Sequence, residues 1–422
     1  MSRSGGPQIP QLDRIVEHAT CLGCGCACDD IRVRVNGDLI LETTSTCALG
    51  ATWFGDGRVP TAIRIGSRSG ALDEALTATV SLLQSAREPL IYLAPELSCE
   101  AQREATGLAD RVHGVLDTIS SATVLPSILA AQERGRTTAT LGEIRQRADA
   151  IVFWGVDPRT RYPRFASRYA PDAAGLHIEG RSGRHVMAID IGPARGPEDA
   201  DSRVPVNAVD EVDFLGVLTA HIRRPGTSIA QTLDRLAAPL AARLATAQYI
   251  ALIADGEPAT ADAATGRGDP QRAAALIALA HALNGSTRCA LITLRGGGNR
   301  SGAEAVLTAE TGFPTGVMFS RGYPVYRPHD AIRTTDRLLV VGDAAQMPTE
   351  ILNRFAPDAR AIIGPRASLH AAVAAIDTGV AGVHVNGTAL RMDDVPLRLR
   401  PSLPFGLDPA EVLRALRSRV AP

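Results

Sequence analysis

Lysine is absent from this chain: all 44 basic residues are Arg. That excludes Schiff-base chemistry and a lysine general base. Every fixed positive charge sits on a guanidinium, which grips carboxylates and phosphates through paired hydrogen bonds. Aromatic residues are scarce, at 4%. No apolar run approaches the roughly 18 residues that a membrane helix needs. Met1–Pro10 lacks the basic-then-apolar pattern of a secretory signal and reads as a short tail. The formal net charge is −1, so no basic field points to nucleic acid or to a membrane surface. These absences lead us to expect a cytoplasmic protein.

What is present is a long α/β rhythm. A chain of 422 residues is enough for two to four domains with sizeable cores. Residues 28–41 alternate charged and apolar side chains around Asn36-Gly37, the pattern of a β-hairpin. Short apolar runs then recur between amphipathic helices: Leu90–Leu93, Val115–Asp117, Ala150–Val156, His185–Ile191, Tyr249–Ala254, Cys289–Leu294, Leu338–Gly342 and Ala361–Gly364. Runs of this kind predict parallel sheets covered on both faces. The small polar stretch Ala259–Asp269 reads as a surface loop, and Pro409–Arg419 as a final helix. The expected organisation is a Cys-bearing β module over 1–60 and Rossmann-like α/β domains over 61–208 and 209–378. A β/helix segment over 379–422 is expected to pack on the rest.

Seven cysteines are present, and Cys21, Cys24, Cys26 and Cys28 crowd into eight positions. Cys21, Cys24 and Cys28 follow a C-x2-C-x3-C spacing, with Cys47 as a distant fourth thiol. A zinc ribbon normally offers two C-x2-C knuckles. Two short gaps plus a remote fourth ligand suit a [4Fe–4S] cluster better. Zinc and vestigial thiols stay open alternatives.

The run CLGCGCACDDI with Cys47 resembles the N-terminal cluster motif of the B subunit family of formylmethanofuran dehydrogenase. The resemblance continues along the chain. It includes Ser98-Cys99-Glu100-Ala101-Gln102, Leu141-Gly142-Glu143, Arg147-Ala148-Asp149, Trp154-Gly155, Pro163-Arg164 and Gly180-Arg181-Ser182. Arg295 with Asn299 and Gly302 follows, then Gly387-Thr388-Ala389, Arg391-Met392 and Val395-Pro396. It implies an α/β fold of the molybdopterin oxidoreductase type. It also implies a tungsten or molybdenum ion held by pterin dithiolenes and by a Cys or selenocysteine thiolate, beside a His and a distant Arg.

Against that pattern the sequence departs where the chemistry would be done. The thiolate position reads Thr123 and the His position Val124, with Pro126-Ser127 retained; Arg295 also remains. A neutral hydroxyl is a poor ligand for a soft metal–sulfur centre, and valine moves no proton. In the inferred pterin pocket near Trp154 and Gly155, Asp157 replaces an Asn, and a carboxylate there repels phosphate. Asp190 survives from a D-P-R-x-T loop whose Arg and Thr are missing. His384 replaces a Glu in the late G-x-E-x-x-G-T stretch. No tungsten or molybdenum pterin is therefore expected. Cys99 at a helix start and Cys289 in an apolar strand read as packed thiols, and His113 as a helix C-terminal residue.

The resemblance, with these losses, implies a non-catalytic B subunit. It would act as a scaffold in a complex converting formyl-tetrahydromethanopterin to formate on a methanofuran-type carrier. Its expected partners are the C subunit, the formyltransferase subunit, and the zinc amidohydrolase-like A subunit. The segment with Arg159, Arg161, Arg164 and Arg168 is a candidate grip for a polyglutamyl carrier; salt bridging in a solvated loop is the alternative. Two rivals are an active tungsten or molybdenum oxidoreductase and an independent iron–sulfur redox protein.

Overall fold

A computed structural model describes residues 13–226, 232–257, 268–327 and 331–421. Met1–Pro10 and nearly all of the loop Ala259–Asp269 lie outside them. Ten strands form two parallel arrays. In chain order they are β1 (Pro89–Leu93), β2 (Val115–Thr118), β3 (Ala150–Trp154), β4 (His185–Ile191) and β5 (Ser202–Val206). Then come β6 (Tyr249–Asp255), β7 (Arg288–Leu294), β8 (Arg337–Val341), β9 (Arg360–Gly364) and β10 (Ala374–Asp377).

The chain divides into two compact units. Unit 1 gathers residues 1–119, 297–389 and 396–422; unit 2 holds 120–296 and 390–395. In unit 1 the parallel strands lie in the order β2-β1-β8-β9-β10. Antiparallel edges extend this sheet: Val317–Met318 beside β2, and Ile63–Ile65 beside β10. Both faces are covered, and the side chains show it. Ile91, Leu93, Leu339, Val341 and Ile363 point into one core, with Leu76, Leu108, Leu413 and Leu416 from helices. Leu90, Tyr92, Leu338, Val340 and Ile362 point into the opposite core, with Met347 and Phe355. Period-two alternation with both sides apolar is why these strands read as continuous hydrophobic runs.

Unit 1 also carries the N-terminal sheet of Arg14–Ala19, Ile31–Asn36 and Leu39–Thr44, with the short helix Ala48–Phe54 after it. The C-terminal helix Pro409–Arg419 starts on an Asp408 cap, whose carboxylate accepts the Ala410 N–H at 2.8 Å. Its Leu413 and Leu416 join the same core as the helix Cys99–Arg111.

Unit 2 is an all-parallel sheet in the order β5-β4-β3-β6-β7. Val152, Trp154, Met187, Ile189, Leu252 and Leu291 bury one face under the helices Glu211–Arg223, Asp234–Leu244 and Pro270–Leu283. Arg184 is 4% exposed, and backbone oxygens satisfy it: its guanidinium donates to the carbonyls of Ala148, Pro171, Ala173 and Arg145.

The α/β class and the parallel sheets agree with the sequence reading, but the linear boundaries do not. Strand β1 pairs with β8, and β3 pairs with β6, so neither 61–208 nor 209–378 closes on itself. Residues 61–118 instead join 337–377, and 150–206 join 249–294. Hydrophobic runs reveal which strands are buried but carry no label for their neighbours. No helix among the described residues is long and apolar enough to cross a membrane.

Candidate functional site

In an open parallel sheet, ligands gather outside the carboxyl ends of the strands where the strand order reverses. In unit 2 that point lies between β3 and β6, and the sequence-predicted pocket residues are there. Trp154 ends β3 fully buried, stacked on Phe214 with centroids 5.8 Å apart. Its indole N–H donates to Glu211 Oε1 at 2.8 Å, and Arg272 Nε donates to the same oxygen at 2.8 Å. Gly155 turns the chain with φ +59, and its N–H is held by the Ile189 carbonyl. Asp157 caps the short helix Pro158–Arg161 by accepting the Arg159 N–H at 2.9 Å.

The opposite lip, after β6, is acidic. Asp255 takes Arg161 Nη1 at 2.5 Å, and Glu257 takes Arg295 Nε at 3.3 Å. The Arg295 and Glu257 side chains are only 9% and 8% exposed. Three arginines thus meet three carboxylates around one crevice. Asp190, at 2% exposure, is equally committed. It accepts from Arg203 at 2.6 Å, Arg195 at 3.1 Å and the Gly196 N–H at 2.9 Å. Burial alone would push the carboxyl up, but these donors hold it below the usual carboxylate range.

Thr123 is in the first turn of the helix Ser121–Arg134, half-buried, with its hydroxyl donating to the Ser120 carbonyl at 3.4 Å. Val124 is 3% exposed. A Cβ built on Gly268 would stand 2.5 Å from the Thr123 carbonyl and 3.4 Å from Pro126, so the chain presses directly on this turn. Neither side chain is a soft donor or a proton carrier.

Within unit 1, Cys21, Cys24, Cys26 and Cys28 are buried and Cys47 is partly exposed, as the residue before the helix Ala48–Phe54. Cys21 Sγ accepts the Gly23 N–H at 3.3 Å, and the Cys21 N–H donates to the Cys28 carbonyl at 2.8 Å. Burial pushes the Cys21 thiol far up, and the nearby Cys24, Cys28 and Cys47 add to it. Four thiols of the kind a cluster uses thus share one neighbourhood. Among the described residues, no group of three or more His, Cys, Asp or Glu forms a metal-holding cage.

The other candidates are settled by their neighbours. Arg159 pairs with Asp199 at 2.5 Å, Arg161 with Asp255, and the Arg168 guanidinium lies 5.5 Å from the centre of the Tyr169 ring. Two of the four arginines of the basic segment are thus held in ion pairs. Cys99 is buried at its helix start, where Asn299 Nδ2 donates to the sulfur at 3.4 Å, and burial raises its thiol. Cys289 is buried in β7 and pushed up to about 12. His113 follows the C-cap Val112 of the helix Cys99–Arg111 with φ +51; its N–H donates to the Asp110 carbonyl and the Gly114 N–H to the Ala109 carbonyl, so it ends the helix as a left-handed cap. His384 is 3% exposed: Nδ1 accepts the Val380 N–H at 3.0 Å and Nε2 bonds the Gly57 carbonyl at 2.7 Å. Sequence reasoning missed the arginine–carboxylate pairs of unit 2, because Arg161 and Asp255 are 94 positions apart.

No family model matches the chain. It is 31% identical to the B subunit of the tungsten-containing formylmethanofuran dehydrogenase 2 of Methanocaldococcus jannaschii, over 96% of this chain and 99% of that one. It is 30% identical to the protein of the same name from Methanococcus maripaludis, with the same coverage. Its fold matches a chain in the crystal structure of the formyltransferase/hydrolase complex FhcABCD from Methylorubrum extorquens, solved with methylofuran. The TM-score is 0.68 and the identity 22%, over 85% of this chain and 98% of that one.

Proposed function

Because the chain belongs to the B subunit family of formylmethanofuran dehydrogenase, we propose that it is part of a one-carbon formyltransferase/hydrolase complex and serves there as a scaffold without catalysis of its own. The complex would convert formyl-tetrahydromethanopterin to formate on a methanofuran-type carrier. The C subunit, the formyltransferase subunit, and the zinc amidohydrolase-like A subunit would surround this chain.

One observation carries the reading. At the position where the family's metal takes its thiolate, Thr123 offers a hydroxyl already donated to Ser120, under a chain that presses on it at Gly268. A pterin-held tungsten or molybdenum ion needs a soft anionic donor there. The crevice supports the same reading: its charges are matched in pairs, and Asp157 is spent on capping a helix. These residues do not fit the cofactor, and no reaction step is assigned to it. The cysteine loop is different, because its donor set matches a [4Fe–4S] cluster. Cys21, Cys24, Cys28 and Cys47 would hold one, and it would supply a clamp on the loop and one-electron capacity. The scaffold role draws only on the clamp.

A metal inventory of the complex purified from its native host tests the proposal. Tungsten and molybdenum are expected to be far below one per chain; a stoichiometric amount of either overturns it in favour of an active oxidoreductase. The same inventory reads iron and sulfide, which decides the cluster without touching the scaffold role. Purification of the chain as a free monomer would favour the independent redox protein. The double variant Thr123→Cys with Val124→His is expected to gain no formate-dependent dye reduction.

A further inference from the structure

Glycines from three separate stretches of unit 1 meet at the turn that carries Cys21: Gly23, Gly50, and the pair Gly297-Gly298. Gly50 is inside the helix Ala48–Phe54, where glycine weakens a helix relative to alanine. The space it leaves is used. A Cβ at Gly50 would stand 3.2 Å from Cys21 Sγ and would overlap Thr46 Oγ1. A Cβ at Gly23 would stand 3.3 Å from the same sulfur and 2.8 Å from the Leu49 carbonyl oxygen. Helix and cysteine loop therefore come close only because both lack a side chain there, and Cys21, at 6% exposure, is packed between them.

The stretch Arg295-Gly296-Gly297-Gly298-Asn299 supplies the other support. The Gly298 N–H donates to the Leu22 carbonyl at 2.8 Å, and a Cβ at Gly297 would stand 2.8 Å from the Gly23 carbonyl oxygen. Gly298 has φ +88 and leaves no space for a Cβ beside the Pro95 carbonyl, which accepts the Asn299 N–H. Within the loop, the Cys21 N–H donates to the Cys28 carbonyl at 2.8 Å and the Gly23 N–H donates to Cys21 Sγ at 3.3 Å. The sulfur is thus fixed by close packing and by one directed N–H.

We propose that Gly23, Gly50 and Gly297 are positioning residues for an iron–sulfur cluster: they hold the Cys21 sulfur as a preset ligand, and the Gly23 N–H raises the potential of the cluster through its bond to that sulfur. The proposal rests on the cluster reading of the cysteine loop and extends it to residues that do not ligate iron. A donor held in place by its surroundings needs less ordering when it ligates. An N–H donated to a ligating sulfur favours the reduced, more negative cluster, and hydrogen bonds of this kind are among the terms that set cluster potentials. The glycine loop then has a task that survives the changes at Thr123 and Val124: it seats the cysteine loop.

The test reads iron, sulfide and the midpoint potential of the complex purified without air from its native host. The unaltered complex is expected to hold about four iron per chain. Thr46→Ala serves as the reference, because it removes the oxygen that a methyl at Gly50 would strike and leaves Thr46 Cβ at 3.5 Å, an ordinary contact. Gly50→Ala in that background then presses on Cys21 Sγ. It is expected to hold less than half the iron of the reference, and the cluster that remains is expected to titrate at a lower potential. Gly297→Ala, whose methyl presses on the Gly23 carbonyl, is expected to move both readings in the same direction. Equal iron in the reference and in the double variant overturns the proposal and leaves the cluster reading standing. An unchanged potential overturns it too, since a mere packing defect loses iron without moving the potential. No iron in the unaltered complex overturns the proposal and the cluster reading together. Should the double variant not fold, or hold no cluster to titrate, Gly297→Ala decides by the same two readings.

Discussion

The two reversal points of this chain are built on the same topology and filled in opposite ways. In unit 2 the crevice after β3 and β6 is lined by matched charges: Arg161 with Asp255, Arg295 with Glu257, Arg272 with Glu211. In unit 1 the crevice after β1 and β8 keeps a cavity, and two of its wall residues, Glu96 and Trp53, each bury a polar atom without a hydrogen-bond partner. The fold offers a ligand site twice. The side chains at the strand ends decide whether its polar groups are matched in pairs or left without partners.

The difference predicts unequal responses to similar changes. Glu257→Ala breaks the buried pair with Arg295 and should cost about 1–3 kcal/mol of stability, read by denaturant titration. Removing the charge in the open crevice, by Glu96→Gln, should move stability by less than about 1 kcal/mol, because the lost ion has no cationic partner at bonding distance. Equal costs would erase the contrast between the crevices. Gly268→Ala should destabilise by about 1–3 kcal/mol in the same assay, since its methyl must displace the Thr123 backbone.

Two smaller effects sharpen the picture. Burial lowers the His384 value below its ordinary 6.5, against the pull of the Gly57 carbonyl. The unfolded chain therefore takes up this proton first as pH falls. The His384 contribution is complete above about pH 6.5 and declines as pH drops below it. His384→Gln should flatten that part of a pH–melting curve. Arg159→Ala, at a surface pair with Asp199, should change stability by about 0.2–1 kcal/mol at most. A larger loss, or a marked fall in the activity of the complex, would restore this segment as a carrier grip.

The sequence disclosed elements better than assembly. Tyr249–Ala254 and Pro409–Arg419 were legible because an unbroken apolar run marks a doubly covered strand, and Asp408-Pro409 marks a helix start. Pairing was not legible: β1 and β8 are both simple apolar runs, and nothing in either names the other. At the site, residue identity says that Thr123 and Val124 offer no soft donor, while only the family resemblance singles out these two positions. The Arg295–Glu257 pair was not legible, since it joins residues that only the fold brings within 3.3 Å. Glu96 carried a signal that went unread: a carboxylate three residues past a buried strand, after Ala94-Pro95. Trp53 carried none.

The order of strands in unit 1 also bears on how the chain is made. Pro89 in β1 faces Arg337 in β8, 248 positions later. At about 5–20 residues per second, a ribosome needs roughly 12–50 s to supply that partner. All five strands of unit 2 are encoded inside the interval, so unit 2 can close while β1 and β2 still wait with bare edges. An unpaired strand edge is a template for aggregation, so slowing translation between residues 300 and 337 should lower the yield of soluble protein.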